Sequence, residues 1–354
     1  MVRTSGWLVA AVALSLGATA CKKDSDKPAA SADKTTDKGG TGDKATDKAG
    51  AAPGGAAVGG AIGDDLSLLP VDSEAVLGIN FAQVQTSALW KQFVAPKLAS
   101  ADLSGIQKFK ALCGFDPLES LKSVAIGMKG LGGDSPTGAI VVHGFDKTKS
   151  MQCFDKNGVK DVEKDGSKVT IDGDVVMITD KSGKQFGFTF VNDTTALAVM
   201  GPEAASKDGI KKVAAGGGAL KTSQAFVDMF QKISSGDSMW MVINGSSPVF
   251  AKAAAMGMKF KAMFGSINVT DGLTVDFRFR FNTPDEAAQL VTMTKGQINN
   301  AQVKAMFDKI DVTTDGSDAK FSVAMSAEKL KALAAMVGGM MGGAMGGGGG
   351  MGGP

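Results

Sequence analysis

The chain has 354 residues, with 38 basic against 36 acidic side chains and a formal charge of +2 at neutral pH. That balance leaves no basic surplus to hold nucleic acid, which is excluded as a partner. Aromatic residues make up 6% of the chain and tyrosine is absent, which argues against a platform that stacks sugars; the single histidine excludes a zinc site of the HExxH kind.

The first twenty residues read as a signal peptide. Arg3 lies near the start, an apolar run extends from Trp7 to Leu16, and the small residues Ala18, Thr19 and Ala20 stand directly before Cys21. The apolar run is about 15 Å long as a helix, too short for a permanent span, which takes about twenty residues. The stretch Leu16, Gly17, Ala18, Thr19, Ala20, Cys21 resembles the lipobox of bacterial lipoproteins. That resemblance implies cleavage before Cys21 and acylation of its sulfur and amine with diacylglyceryl and palmitate-type chains. A second reading is an ordinary secretory signal cut after Ala20, which would leave a free thiol; the polar stretch directly after Cys21 favours the anchor. Two or more acyl chains on one residue hold a protein stably at a bilayer, where one would be marginal. By resemblance to lipoprotein sorting rules, Lys22 after the cysteine implies the outer membrane, with the ectodomain in the periplasm or at the surface.

From Cys21 to residue 63 the chain is rich in Gly, Ala and Asp-Lys pairs, which recur at Asp26, Asp33, Asp37, Asp43 and Asp47. It lacks the apolar side chains needed to offset ordering entropy, so it is expected to be a disordered tether spanning about 35 Å. Its charges alternate in sign, so the positive field cancels locally and a solvated spacer is expected rather than an adhesive patch.

Residues 64 to 336 hold the folded part. A helix carrying Leu89, Trp90 and Phe93 is expected first. Between 159 and 200, Asp165-Gly166, Asp172-Gly173, Ser182-Gly183 and Asn192-Asp193 punctuate short apolar runs and predict a five-stranded antiparallel meander. Two further amphipathic helices are predicted, one with Phe226, Met229, Phe230 and Ile233, the other with Met256, Phe260, Met263 and Phe264. Leu273, Val275, Phe277, Phe279 and Phe281 alternate with polar residues, which predicts a strand with one core face and one wet face. Thr283, Pro284 and Glu286 then form a capping box that starts a helix. Trp90 and Trp240 are expected in the core.

The order of elements repeats. Asp72 to Glu74 lead into AVLGINF, a helix, the strands SVAIGM and GAIVVHGF, and a helix after Asp146. Gly236 to Ser238 lead into MWMVING, a helix near Pro248, the strands SINVT and GLTVDFRFRF, and a helix after Thr283. The expected fold is α+β in two similar halves, 64 to 235 and 236 to 336, each a mainly antiparallel sheet with helices packed on one face. Residues 337 to 354 form a Gly/Met-rich tail expected to be disordered.

Chemistry is sparse. With Cys21 acylated, Cys113 and Cys153 are left as a pair in an oxidising compartment, and a disulfide between them is favoured over two buried thiols. His143 lies in the strand AIVVHGF and reads as a hydrogen-bonded sheet residue. Serine followed three residues later by lysine occurs at Ser31 and Ser326, with Lys34 and Lys329, but Ser326 reads as a helix cap and the further motifs of penicillin-binding enzymes are missing. Asp161, Glu163, Asp165, Gly166 and Asp172 have the spacing of a calcium loop but carry Lys164 and Lys168 among them, so a hairpin is favoured. Met336, Met340, Met341, Met345 and Met351 could meet Cu(I), although a low-complexity tail explains them as well. No catalytic residue, cofactor or metal is assigned.

The layout of signal, low-complexity tether and duplicated ectodomain resembles a class of uncharacterised lipoproteins of Gram-negative bacteria, which implies no activity. The expected function is a membrane-anchored, non-catalytic ectodomain that binds a protein or another envelope component. The alternative is a carrier of lipid or another apolar ligand between sheet and helices, with the segment from Phe250 to Phe264 lining the cavity.

Overall fold

In the computed structural model, residues 61–332 are described, apart from 97–103, 132, 134, 135, 165, 218 and 256. Cys21, the tether up to residue 60 and the Gly/Met-rich tail lie outside the described residues. Twelve strands among the described residues join in one antiparallel sheet, ordered β11-β12-β10-β9-β8-β1-β2-β3-β7-β6-β5-β4. With helices against it, the fold is α+β.

The first-segment strands are β1 (Ala75–Asn80), β2 (Ser123–Lys129), β3 (Thr137–His143), β4 (Lys168–Asp172), β5 (Val175–Thr179), β6 (Gln185–Phe190) and β7 (Thr195–Met200). The second segment supplies β8 (Met239–Asn244), β9 (Ala262–Asn268), β10 (Gly272–Arg280), β11 (Lys309–Asp315) and β12 (Asp318–Ser326). The two segments meet at the pairing of β1 with β8, where Val76 opposes Val242 and Gly78 opposes Trp240. The sheet is therefore continuous.

Helices lie against both faces of the sheet, which corrects the expectation of one. Neighbouring residues of a strand point to opposite faces, and here both sets are apolar. Val141 belongs to the largest core cluster together with Val76, Leu197, Phe264 and Ile210. This face is covered by α1 (Ala61–Leu68) and, later in the chain, by segments that include Ile210 and Phe226. Val142, one residue on, packs instead with Ile79, Phe81, Leu121 and Val124 on the other face. That face is covered by α2 (Phe81–Thr86), α3 (Ser104–Cys113), α4 (Pro117–Ser120), α5 (Lys147–Cys153) and α6 (Val159–Glu163). A sheet apolar on both sides needs cover on both.

The helix α1 begins at Ala61, inside the stretch assigned to the tether, because Leu66, Leu68 and Leu69 bury their side chains in the core. The meander from 159 to 200 has four strands rather than five. Residues 159 to 163 instead prolong the helix that starts at Asp146, running through a wide π turn at Phe154–Gly158 into α6. Met151, Phe154 and Val162 recur at helical spacing and pack on Val176, Ile178 and Phe188, so tertiary burial decides against the strand.

The expected helix through Met256, Phe260, Met263 and Phe264 is also corrected. Helix stops at Ala255, Gly257 takes a φ of 83°, and Met263 and Phe264 belong to β9. Phe264 is fully buried, facing one side of the sheet, while Met263 faces the other. The segment around Leu89, Trp90 and Phe93 is helical as expected, over Trp90–Val94 in π form. Phe226, Met229 and Phe230 lie on a helix spanning Gln224–Phe230, with Ile233 just beyond it. The capping box at Thr283 and Glu286 opens a helix spanning Pro284–Ile298, and Phe279 and Phe281 turn to its core as expected. No described helix is long and apolar enough to cross a membrane.

Candidate functional site

An apolar pocket with room for a ligand is built on β7. Its sequence TALAVM alternates faces: Thr195, Leu197 and Val199 are 4%, 0% and 2% exposed on the core side. The opposite side carries only methyl groups at Ala196 and Ala198, followed by Met200. The strands on either side are larger there. Ala196 stands between Val142 and Phe190, and Ala198 between Ile140 and Phe188. Small residues between two rows of large ones leave a trough along the middle strand.

Helices close over that trough. Phe109 of α3, Phe115 and Pro117 at the start of α4, Phe145 after β3, and Phe154 and Val162 beyond α5 enclose a cavity of about 240 Å³. The rings brace one another: Phe109 and Phe115 are 5.1 Å apart between centroids, and Phe154 meets Phe188 of the floor edge-on at 5.2 Å. Among the lining residues no side chain is charged, and Ser150 supplies the one hydroxyl. The cavity can solvate an apolar molecule, and its described lining holds no acid or base to act on one.

Cys113 ends α3 and Cys153 ends α5, and their sulfurs lie at bonding distance with the Cα atoms 5.0 Å apart. The expected pair is thus brought together, on the roof of the cavity. Sequence reading found the pair but not what it spans.

His143 is hydrogen-bonded within the sheet, as expected. Nε2 is 2.7 Å from Oδ1 of Asp65 on α1, and Nδ1 is 3.0 Å from the Thr195 hydroxyl. The tautomer that donates Nε2–H to the carboxylate leaves Nδ1 to accept from Thr195. Carboxylate, imidazole and hydroxyl in a row have the composition of a proton relay. However, Thr195 is 4% exposed and Asp65 is 2% exposed, on the face away from the cavity, so no substrate can approach the hydroxyl. The row ties the first described helix to the sheet.

The other candidates disperse. Asp161 and Glu163 lie on α6, where Asp161 is paired with Lys164 at 2.9 Å, while Asp172 pairs with Lys207 at 2.7 Å. Asp165 lies outside the described residues. No group of three or more potential metal ligands forms among the described residues. Lys329 donates to the carbonyl of Phe307 and pairs with Asp308, so it does not serve Ser326 as a base. Ser326 ends β12 and directly precedes a helical turn. Phe250 and Phe264 are not among the residues that line the β7 cavity: Phe250 packs on Phe260 at 5.5 Å and Phe264 under the Arg280 guanidinium at 4.9 Å. Cys21, Ser31, Lys34 and the methionines from Met336 onward lie outside the described residues.

Away from the cavity, Asp318 is 1% exposed and receives two hydrogen bonds from Arg280, at 2.7 and 2.9 Å, and one from Lys232 at 3.1 Å. Burial works to raise its pKa, but the two cations prevail and hold the carboxyl below its ordinary range. Arg278 likewise pairs with Asp315, whose carboxyl is lowered by Arg278 first and Lys232 second. These are ties between strands and not a reactive cluster, since each acid is matched to a cation.

No protein family, no curated protein and no solved structure matches the chain.

Proposed function

We propose that this chain is a lipid-anchored, non-catalytic protein of the bacterial envelope whose ectodomain holds an apolar ligand between sheet and helices. The observation that carries the reading is the cavity of about 240 Å³ lined by Phe, Val, Ile, Ala and Met side chains. Apolar surface left facing water in such a pocket is costly, at about 25 cal/mol per Å². A resident ligand offsets that cost. The reading takes the alternative of a carrier over that of a protein-binding surface, and moves its site from the Phe250 to Phe264 segment to the first half.

The lipobox-like stretch ending at Cys21 supports the anchor, and Lys22 supports the outer membrane. The Asp-Lys tether gives the ectodomain about 35 Å of reach from the bilayer surface. An even pair of cysteines in an oxidising compartment supports a covalent tie across the cavity roof at Cys113 and Cys153.

Strand order supports descent from a duplicated unit. Outward from the β1–β8 junction, the first half runs β1-β2-β3-β7 and the second β8-β9-β10-β12. In both, the third strand leads to a helix, and the chain resumes at the sheet edge, β4 or β11, before returning inward. The first half inserts β5 and β6 on that return, and β6 forms one wall of the cavity. One wall of the ligand site therefore belongs to the part in which the two halves differ, while its floor and other wall belong to the shared strand order.

Extraction of the natively purified protein with organic solvent, followed by mass spectrometry, tests the proposal. An apolar molecule near one equivalent per chain is expected. An empty extract from protein that no apolar compound stabilises against heat would contradict it.

A further inference from the structure

Building on the reading that the cavity binds an apolar ligand, we infer that its ligand class is a single unbranched acyl chain whose polar head stays in solvent. The trough follows the single strand β7, and its walls stand on the two flanking strands, β3 and β6, whose axes lie about 9.6 Å apart at about 4.8 Å per strand spacing. It runs from Ala196 past Ala198 to Met200, a rise of about 13 Å at about 3.3 Å per residue. Walls of Val142 and Ile140 on one side and Phe190 and Phe188 on the other confine the ligand laterally. Those dimensions suit an extended alkyl chain. At about 240 Å³ the space lies below the 300 to 1,000 Å³ usual for compact drug-sized ligands, which excludes a broad fused-ring molecule.

The lining also fixes which part enters. A carboxylate or phosphate in the cavity would find no cation, and Ser150 is the one hydroxyl that could meet it. Burial of an unpaired charge is prohibitive, so the head remains outside and the tail goes in. With C–C bonds of about 1.5 Å near 111°, an extended chain advances about 1.25 Å per carbon, so the trough measures about ten carbons. At the end away from Ala196, Met200 lines the cavity between Gly138 and Phe186, and its flexible side chain limits the length available on that side. The same tail chemistry occurs in a free fatty acid, in one chain of a membrane lipid and in the protein's own acyl group at Cys21.

The test uses the full-length chain with Cys21→Ser, so that no acyl group of its own competes, and follows displacement of cis-parinaric acid by saturated fatty acids of increasing length. Affinity is expected to rise about fourfold per added carbon, the equivalent of about 0.8 kcal/mol per buried methylene, and to level off near ten carbons. Ala198→Phe is expected to abolish displacement while the circular dichroism spectrum is unchanged. Met200→Ala opens the far end and is expected to move the plateau to longer chains, a readout that survives if Ala198→Phe misfolds. A lysophospholipid that displaces the probe as well as the matching fatty acid assigns the source to membrane lipid. Displacement only by the free acids assigns it to fatty acid. If the Cys21-acylated protein fails to take up the probe while the Cys21→Ser form does, the source is the protein's own chain. Binding of anilinonaphthalene sulfonate without any fatty-acid binding would overturn the acyl assignment and leave the apolar-ligand reading standing. Failure of every probe would overturn both.

Discussion

Gly78 sits at the centre of the sheet because Trp240 lies across it. A Cβ at that position would stand 2.1 Å from the indole ring. Gly78→Ala is therefore expected to cost about 1 to 3 kcal/mol by overpacking, read as a lower urea midpoint. An unchanged midpoint would show that the indole can move aside. Asp318 gives a second residue-level expectation, with a sign set by its environment. Its folded pKa is depressed, so its stabilisation is fully present above the unfolded value near 3.9 and fades as pH falls through the folded value. Asp318→Asn is expected to lower stability at neutral pH by roughly 3 kcal/mol, since it leaves Arg280 without its buried partner, and to flatten the loss of stability below about pH 4. Urea unfolding at a series of pH values checks both. The same acid slope in both proteins would mean that Asp318 does not carry it.

At the scale of elements, the tie between α3 and α5 is expected to hold the cavity roof. The bond closes a loop of 40 residues, so Cys153→Ser is expected to cost about 3 to 4 kcal/mol by the chain-entropy estimate. It is also expected to raise hydrogen exchange in Ser104–Cys113 and Lys147–Cys153 above that in β7; uniform change across the protein would argue against a local role for the tie. Alternation read from sequence found β10 and its apolar face, and the capping box found the helix at Pro284. Both signals are local. The segments that misled were those in which burial overrides local pattern: Val159–Glu163 is helical because Val162 packs on the sheet, and Met263 and Phe264 lie in a strand because both sheet faces are apolar there. The cavity was hidden for a related reason. Ala196 and Ala198 are visible in TALAVM, but only the register that sets them between Val142 or Ile140 and Phe190 or Phe188 turns small side chains into a trough. The pairing with β3 joins residues more than fifty positions apart, and no spacing rule specifies it.

For the whole molecule, the proposed function requires an anchor at Cys21, a spacer and a ligand-holding ectodomain. On the proposed function, Cys21→Ser is expected to shift the protein from the membrane fraction to the soluble fraction, because the proposed acyl chains all depend on that one residue. Unchanged membrane attachment would remove the anchor from the account. The sheet ends in β4 and β11, whose Lys168, Asp172, Lys309, Asp311 and Asp315 place charges along both edges. Charged edges oppose pairing with further strands, including at β4, where Ile171 is exposed between Lys168 and Asp172. The central claim is that the space between β7 and its helical roof holds an apolar ligand in the native protein. Native mass spectrometry of the full-length protein purified from bacteria, with Cys21→Ser in place so that no acyl chain of its own fills the cavity, compared with the same protein carrying Ala198→Phe, tests it most directly. The protein with Ala198 intact is expected to carry a releasable adduct that Ala198→Phe lacks; equal masses beyond the substitution itself, with or without an adduct, would contradict the claim.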